Sequence, residues 1–522
     1  MGSDVANGAQ ALLRTLVDCG VDVCFGNPGT SEMHFVAALD AVPQMRGVLG
    51  LFEGAVTGAA DGYGRIADRP AATLLHLGPG MANGLANLHN ARRAHTPMVN
   101  VIGDHARYHK GFDAPLESDI DALTGWLHGF TRVSKTPEEV GADAADAVAA
   151  AMGHPGRLAN LVLPADVSWS EGGVAAGPVP VEPAATVDDV RVTEIAGVLR
   201  GGEPTVVLLG HGTTREQGLR AASRIAAATG VKLFAETFPA RIERGAGLPA
   251  VERLGYLAEQ VQWQLTDVKH LVLVGAKAPV SFFAYPGKAS ELVPDGCQVH
   301  VLSVLGEDSV EALENLADLV AADVEPVLAE ANRPALPSGD LTPQNWTDVI
   351  GALLPDGAII SDEANTSGLM LPMSTAGAPR HDVLTLTGGA IGQGLPAALG
   401  AAVAAPDRPV VCLEADGSAV YTISALWSMA REEANVTTVL LSNRAYAILR
   451  MELSRVGAQG SGPKAAAQLD LSRPDLDFVS VAQGFGVPAT RAATAEELAD
   501  QFAAALAEPG PHLIEAMVPP LL

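Results

Sequence analysis

The sequence predicts an α/β protein built from three doubly wound parallel-sheet domains. Three observations lead there. At 522 residues the chain is too long for one core and suits about three domains of roughly 100–200 residues each. Two Pro-rich stretches, residues 171–189 and 325–346, read as extended linkers and leave segments 1–170, 190–325 and 346–522. Within each segment, short apolar runs alternate with longer Ala- and Leu-rich amphipathic stretches. Apolar strands buried on both faces, with helices between them, are the pattern of a parallel sheet.

The elements follow in order. In the first segment, strands are expected at 21–25, 47–52, 72–77 and 98–102. In the second they fall at 205–209, 232–234, 270–274 and 299–304, and in the third at 358–361, 410–413 and 437–441. There is no short-period repeat or low-complexity tract.

The 33 Lys plus Arg stand against 60 Asp plus Glu, a net charge of -27. A chain this acidic repels nucleic acid and anionic membranes. An anionic ligand must then be held by backbone donors or a metal ion. No stretch is long and apolar enough to span a bilayer. Residues 1–6 lack the basic-then-apolar order of a signal peptide, so a soluble cytoplasmic protein is expected. Cys19, Cys24, Cys297 and Cys412 form no CxxC pair and read as free thiols.

The most informative stretch is ADGSAVYTISALWSMAREEANVTTVLLSNRAYAIL, residues 415–449. Asp416 follows one apolar run and Asn443 follows another, so both stand at the carboxyl ends of strands, where open parallel sheets bind ligands. A carboxylate, an amide oxygen and a backbone carbonyl suit Mg²⁺. Gly417 allows close backbone approach, and Ser418 opens a helix whose N-terminus favours anions. Together they describe a metal–diphosphate site.

This pair of motifs resembles the metal and diphosphate signature of thiamine diphosphate (ThDP) enzymes, although Ala415 and Ser442 replace that family's usual outer Gly and Asn. The resemblance runs through nearly the whole chain and is closest to the acetolactate synthase and benzoylformate decarboxylase group. It rests on DEANTSGLM and TLTGGAIGQGLPAALGAA in the third segment, and on FGNPGTSEMHF, LFEGAVTGAADGYGR and LHLGPGMANGLANLHNA in the first. It implies a pyrimidine-binding domain over 1–170, a central domain over 190–325 and a diphosphate-binding domain over 346–522. By resemblance the carbonyl of Ala445 is the third metal ligand. Thr366 and Ser367 lie near the diphosphate, Gly389 offers its carbonyl to the aminopyrimidine, and Ile391 sits under the cofactor as the residue that bends it. Asn27, Pro28, Gly29 and Thr30 belong to the cofactor-binding set of the first domain. Glu53 falls on the family's activating glutamate, and its neighbours Leu51, Phe52 and Val56 are apolar. His76 aligns with a catalytic histidine of benzoylformate decarboxylase, where acetolactate synthases carry Thr; a structural histidine is the alternative.

Two glycine-rich turns are weak nucleotide signals. Residues 78–83 carry Asn83 where a dinucleotide turn needs a third Gly, and LLGHGTTREQG breaks at Arg215. FAD is therefore not expected. The chain also departs from its relatives around the substrate. Pro115-Leu116 replaces the Phe-Gln pair of acetolactate synthases, and Glu452 stands where their pocket Trp belongs. APVSFFAYPG lacks the second histidine of benzoylformate decarboxylase. Leu116 and Glu452 thus become candidate pocket residues.

The resemblance implies a ThDP- and Mg²⁺-dependent enzyme that makes or breaks a C–C bond beside a carbonyl. Its partners would be a 2-oxo acid or an acyloin, and its assembly a homodimer with sites at the interface, paired into a homotetramer. An FAD-linked oxidase of the same superfamily and a non-catalytic ThDP-binding paralogue remain the rivals.

Overall fold

A computed structural model describes residues 6–458, 460 and 462–520. Residues 1–5, read above for targeting signals, lie outside them. The first segment carries β1 (Val23–Gly26), β2 (Arg46–Leu49), β3 (Ala71–Leu75), β4 (Met98–Asp104), β5 (Phe130–Val133) and β6 (Leu158–Pro164). They form one parallel sheet in the order β2-β1-β3-β4-β6-β5. The next carries β7 (Thr205–Leu209), β8 (Lys232–Ala235), β9 (Ile242–Arg244), β10 (Glu252–Arg253), β11 (His270–Val274) and β12 (Gln298–Ser303). Five of these make a parallel sheet, β10-β8-β7-β11-β12. The last segment adds β13 (Ala358–Glu363), β14 (His381–Thr385), β15 (Val410–Ala415), β16 (Val436–Ser442), β17 (Ala489–Ala492) and β18 (His512–Met517), in the order β17-β18-β16-β15-β13-β14-β9.

The architecture is thus three parallel-sheet α/β layers, with one exception. β9 leaves the central segment and pairs antiparallel with β14, Ile242 opposite Val383. β5, β6, β9, β10, β14, β17 and β18 were not expected from the sequence, and β9 and β10 are only three and two residues long. β5 and β17 are largely exposed, and β14 opens on two polar residues, His381 and Asp382, so their periodicity is faint. β6 and β18 are buried runs with no such excuse. The expected strands at 47–52 and 72–77 stop early, at Leu49 and Leu75, because helices begin at Glu53 and Leu77. The apolar residues in between form the strand-to-helix turns.

Five helices position the site: α1 (Glu53–Ala67), α2 (Leu77–Ala94), α3 (Gly394–Ala404), α4 (Asp416–Thr422) and α5 (Ala447–Arg455). α1 and α3 are rich in Gly and Ala, and their backbones nearly touch. A side chain at Gly62 would overlap Ala397, and one at Gly400 would overlap Ala59. Around this crossing the core of the first domain continues into the third, from Tyr63 and Leu88 to Leu395, Leu399 and Met429. The central domain shares a second core with the third, joining Leu219 and Ile225 to Ile360 and Val383. No described helix is long and apolar enough to cross a membrane.

Candidate active site

The C-terminal half of the site forms where β13, β15 and β16 end. Asp416 is the first residue of α4, directly after β15, and is 2% exposed. Its oxygens accept the backbone N–H groups of Gly417 at 2.7 Å and Arg444 at 2.6 Å. No Lys or Arg among the described residues pairs with it. Burial pushes its carboxyl up to about 6, against the pull of those N–H groups. A buried carboxylate without a counter-charge fits a dication.

Asn443 follows β16, and its Oδ1 accepts the Ala445 N–H at 2.9 Å. Arg444 between them takes a left-handed φ of 56°. The Arg444 carbonyl bonds Leu471 N–H, whereas no described backbone N–H bonds the Ala445 carbonyl. Asp416, Asn443 and Ala445 therefore offer the three oxygen types that Mg²⁺ would need. A methyl group at Gly417 would meet the Tyr446 ring at 2.5 Å. Ser418 Oγ accepts Asn365 Nδ2 at 2.9 Å, which brings the Asn365–Gly368 turn, with Thr366 and Ser367, beside the start of α4.

Gly389 and Ile391 lie on the loop between β14 and α3. Gly389 has φ 72°. Glu363, at the end of β13, accepts Gly392 N–H at 2.8 Å and Gly394 N–H at 2.5 Å and so fixes the loop from below; burial pushes its carboxyl up to about 7. From the other side α2 holds the same loop. Asn90 Nδ2 donates to the Ala390 carbonyl at 2.7 Å, and Asn87 Nδ2 bridges the carbonyls of Gly54 and Gly392 at 2.8 and 3.1 Å. The Gly389 loop and the start of α1 are thus clamped by one helix.

The N-terminal half sits at the ends of β1, β2 and β3. Glu53 is the first residue of α1, buried, and accepts Asn83 Nδ2 at 2.9 Å. Asn83, which breaks the glycine-rich pattern, is therefore the residue that reads Glu53. Of the apolar neighbours expected around Glu53, Val56 is buried but Leu51 is exposed. Asn27, Pro28, Gly29 and Thr30 form the loop after β1. A side chain at Gly29 would overlap the His76 ring. His76 precedes α2, where Leu77 turns the chain with φ 54°. Its Nδ1 lies 2.7 Å from Glu32 Oε2, which also accepts the Gly29 N–H at 2.8 Å. Burial pushes the Glu32 carboxyl up, while His76 and the Gly29 N–H pull it down. Glu32 was missed in the sequence; its only local signal is the three-residue spacing from Gly29. The loop of Leu116 packs on the start of α2, since a side chain at Gly78 would overlap Ser118. Leu116 itself is exposed.

Glu452 lies on α5 with both carboxylate oxygens buried, beside the Tyr285 hydroxyl. Arg455 Nε is 3.7 Å away. Arg215, which breaks the other glycine-rich turn, pairs with Asp68 of the first domain at 2.5 Å.

The chain resembles known proteins in sequence and in fold. Residues 6–130 match the N-terminal, and residues 368–516 the C-terminal, TPP-binding domain of the thiamine pyrophosphate enzymes. The chain is 63% identical to a Mycobacterium tuberculosis protein provisionally named acetolactate synthase large subunit IlvX, over 99% of this chain and 100% of that one. It is 31% identical to benzoylformate decarboxylase of Pseudomonas aeruginosa, over 95% of this chain and 96% of that one. In structure it resembles the thiamine diphosphate-dependent 4-hydroxybenzoylformate decarboxylase of Rhodococcus jostii, with TM-score 0.85 and 26% identity over 98% and 99% of the two chains.

Proposed function

We propose a function from one premise: this chain belongs to the thiamine pyrophosphate enzyme family. It is a ThDP-dependent enzyme of the acetolactate synthase and benzoylformate decarboxylase type. Within that type the reading is Mg²⁺-dependent, non-oxidative decarboxylation of a 2-oxo acid to an aldehyde. The Glu32–His76 pair carries it, because it gives the site a proton carrier of its own. A relative named benzoylformate decarboxylase supports it.

Bound here, ThDP would supply a nucleophilic carbon for the 2-oxo carbonyl and a sink for the electron pair left by CO₂. The protein does the rest. Asp416, Asn443 and the Ala445 carbonyl would hold Mg²⁺, and Thr366, Ser367 and Ser418 would lie on the diphosphate side of the cofactor. Glu53, held by Asn83, would hold or pass a proton where the pyrimidine ring of the cofactor would lie. Glu32 fixes Nδ1 of His76, so Nε2 is left to supply the proton that replaces CO₂ on the 2-oxo carbon and becomes the aldehyde C–H. The Gly389 carbonyl and Ile391 position the cofactor. The active unit is a homodimer with sites at the interface, paired into a tetramer, and the location is cytoplasmic.

Carboligation to an acyloin is a second reading, favoured by the name of the relative at 63% identity. The two separate in one experiment: the protein loaded with ThDP and Mg²⁺ is given a panel of 2-oxo acids while CO₂, aldehyde and acyloin are measured. Aldehyde as the main product supports decarboxylation; acyloin as the main product replaces it with carboligation. His76→Ala should lower turnover by roughly 10²–10⁴. Unchanged turnover in that variant would remove the Glu32–His76 pair from the mechanism.

A further inference from the structure

The loop that carries Gly389 meets α2 through more than the two asparagines described above, and the contact is specific in chemistry. Asn90 is fully buried and pairs with both polar groups of Ala390. Its Oδ1 accepts the Ala390 N–H at 3.2 Å, and its Nδ2 donates to the Ala390 carbonyl at 2.7 Å. The second Nδ2 hydrogen goes to Asn87 Oδ1 at 3.0 Å. An amide can donate and accept in this way, whereas a carboxylate lacks the donor. The contact has no slack. A methyl group at Gly388 would lie 2.5 Å from Asn90 Oδ1 and 2.7 Å from His89 Cδ2.

His89 holds the preceding peptide. Its Nε2 is 3.2 Å from the Gly388 carbonyl, which can only accept, so Nε2 carries the proton. Nδ1 is buried without a partner and is the bare nitrogen. Burial, with the charges of Arg92 and Arg93, favours the neutral ring against the pull of the Gly388 carbonyl. The ring packs on Trp126 of the helix Ile120–Trp126, with centroids 5.8 Å apart. Both peptide units around Gly389 are thus pinned. The first is held at its carbonyl by His89 and at its N–H by the Leu386 carbonyl, at 3.3 Å. The second is held at its N–H by Asn90. In a planar trans peptide the C=O and N–H point opposite ways, so the Gly389 carbonyl is turned away from Asn90 and α2. No described backbone N–H donates to it.

We propose that Asn90 and His89 are positioning residues of the reaction: they fix the two peptides that flank Gly389 and so aim its free carbonyl at the aminopyrimidine of the cofactor. This deepens the reading above and rests on it. Both residues act through the loop backbone. Glycine restrains its own backbone less than any other residue, so the restraint at Gly389 falls to these two side chains.

Three variants of the full chain test this: His89→Leu, His89→Gln and Asn90→Leu. Gln keeps an Nε2–H donor for the Gly388 carbonyl, and Leu does not. In the cofactor-free protein, hydrogen–deuterium exchange over residues 386–393 should quicken in both Leu variants and stay near wild type in His89→Gln. With Mg²⁺ and ThDP bound, exchange of the thiazolium C2 proton should slow by about 3- to 10-fold in His89→Leu, the range of one neutral hydrogen bond. It should slow by about 10- to 100-fold in Asn90→Leu, which leaves buried backbone groups unpaired. A merely structural role would lower the melting temperature and leave C2 exchange of bound ThDP at the wild-type rate. Wild-type C2 exchange in both Leu variants, wild-type protection of residues 386–393 in both, or a His89→Gln protein as slow as His89→Leu would each overturn the proposal. Should Asn90→Leu fail to fold, the two His89 variants decide it alone. Failure of the wild-type protein to bind ThDP would instead overturn the enzyme reading itself, and the proposal with it.

Discussion

Glu53 and Asp416 occupy the same local position in two domains. Each is the first residue of a helix at the carboxyl end of a parallel strand, and each is buried. Their surroundings differ. Asp416 follows its strand without a gap and is gripped by two backbone N–H groups. Glu53 stands past a short turn after β2 and meets a side-chain amide, Asn83. Backbone donors cannot move away, so Asp416 is a fixed negative charge waiting for a cation. A side-chain partner can adjust, which suits a carboxyl group that passes a proton. The same strand-to-helix joint thus serves binding in one domain and proton transfer in the other.

The largest expected effect tests the binding side. Asp416→Ala should abolish ThDP binding, because the bridging dication loses its anionic ligand. Calorimetry showing wild-type affinity would take Asp416 out of the site and erase the contrast.

Next comes the proton-transfer side. Glu53→Gln should keep ThDP and Mg²⁺ binding, since the side chains are nearly isosteric. Exchange of the thiazolium C2 proton of bound ThDP should slow by orders of magnitude. Wild-type exchange would remove Glu53 from the proton transfer. The same two variants also report assembly. If Glu53 and Asp416 serve one cofactor from different subunits, mixing inactive Glu53→Gln and Asp416→Ala proteins under subunit exchange should restore part of the activity.

The smallest effect is in pH. With its carboxyl pushed up to about 6, Asp416 is protonated in the metal-free protein below that value. Mg²⁺ must displace the proton, so Mg²⁺-dependent ThDP affinity should fall about tenfold per pH unit below 6 and level off above it. The sign for folding is opposite to that of a salt-bridged Asp. The folded state holds the proton more tightly than the unfolded chain does, so this group makes the metal-free protein less stable as pH rises from about 4 through 6. Titrations at several pH values read the first; melting of the metal-free protein with and without Asp416→Asn reads the second. A flat profile in both would show that Asp416 stays ionised when metal-free.

Much of this protein was legible in its sequence because the signals are local. β7 and β11 coincide with the apolar runs at 205–209 and 270–274, since a strand buried on both faces must be apolar throughout. Asp416 and Asn443 could be placed at strand ends for the same reason: a polar residue closing an apolar run marks where the sheet stops. What tertiary structure decided is contact between distant segments. Glu32 meets His76 across 44 residues, and only the parallel pairing of β1 with β3 brings their following loops together. β9 leaves its own domain because β14 offers it an unpaired edge. Asn87 ties Gly54 to Gly392 because Gly- and Ala-rich helices let the first and third domains close to backbone contact. Periodicity records which face of an element is buried. It carries no record of what that face is buried against, and that is where the chemistry of this site is assembled.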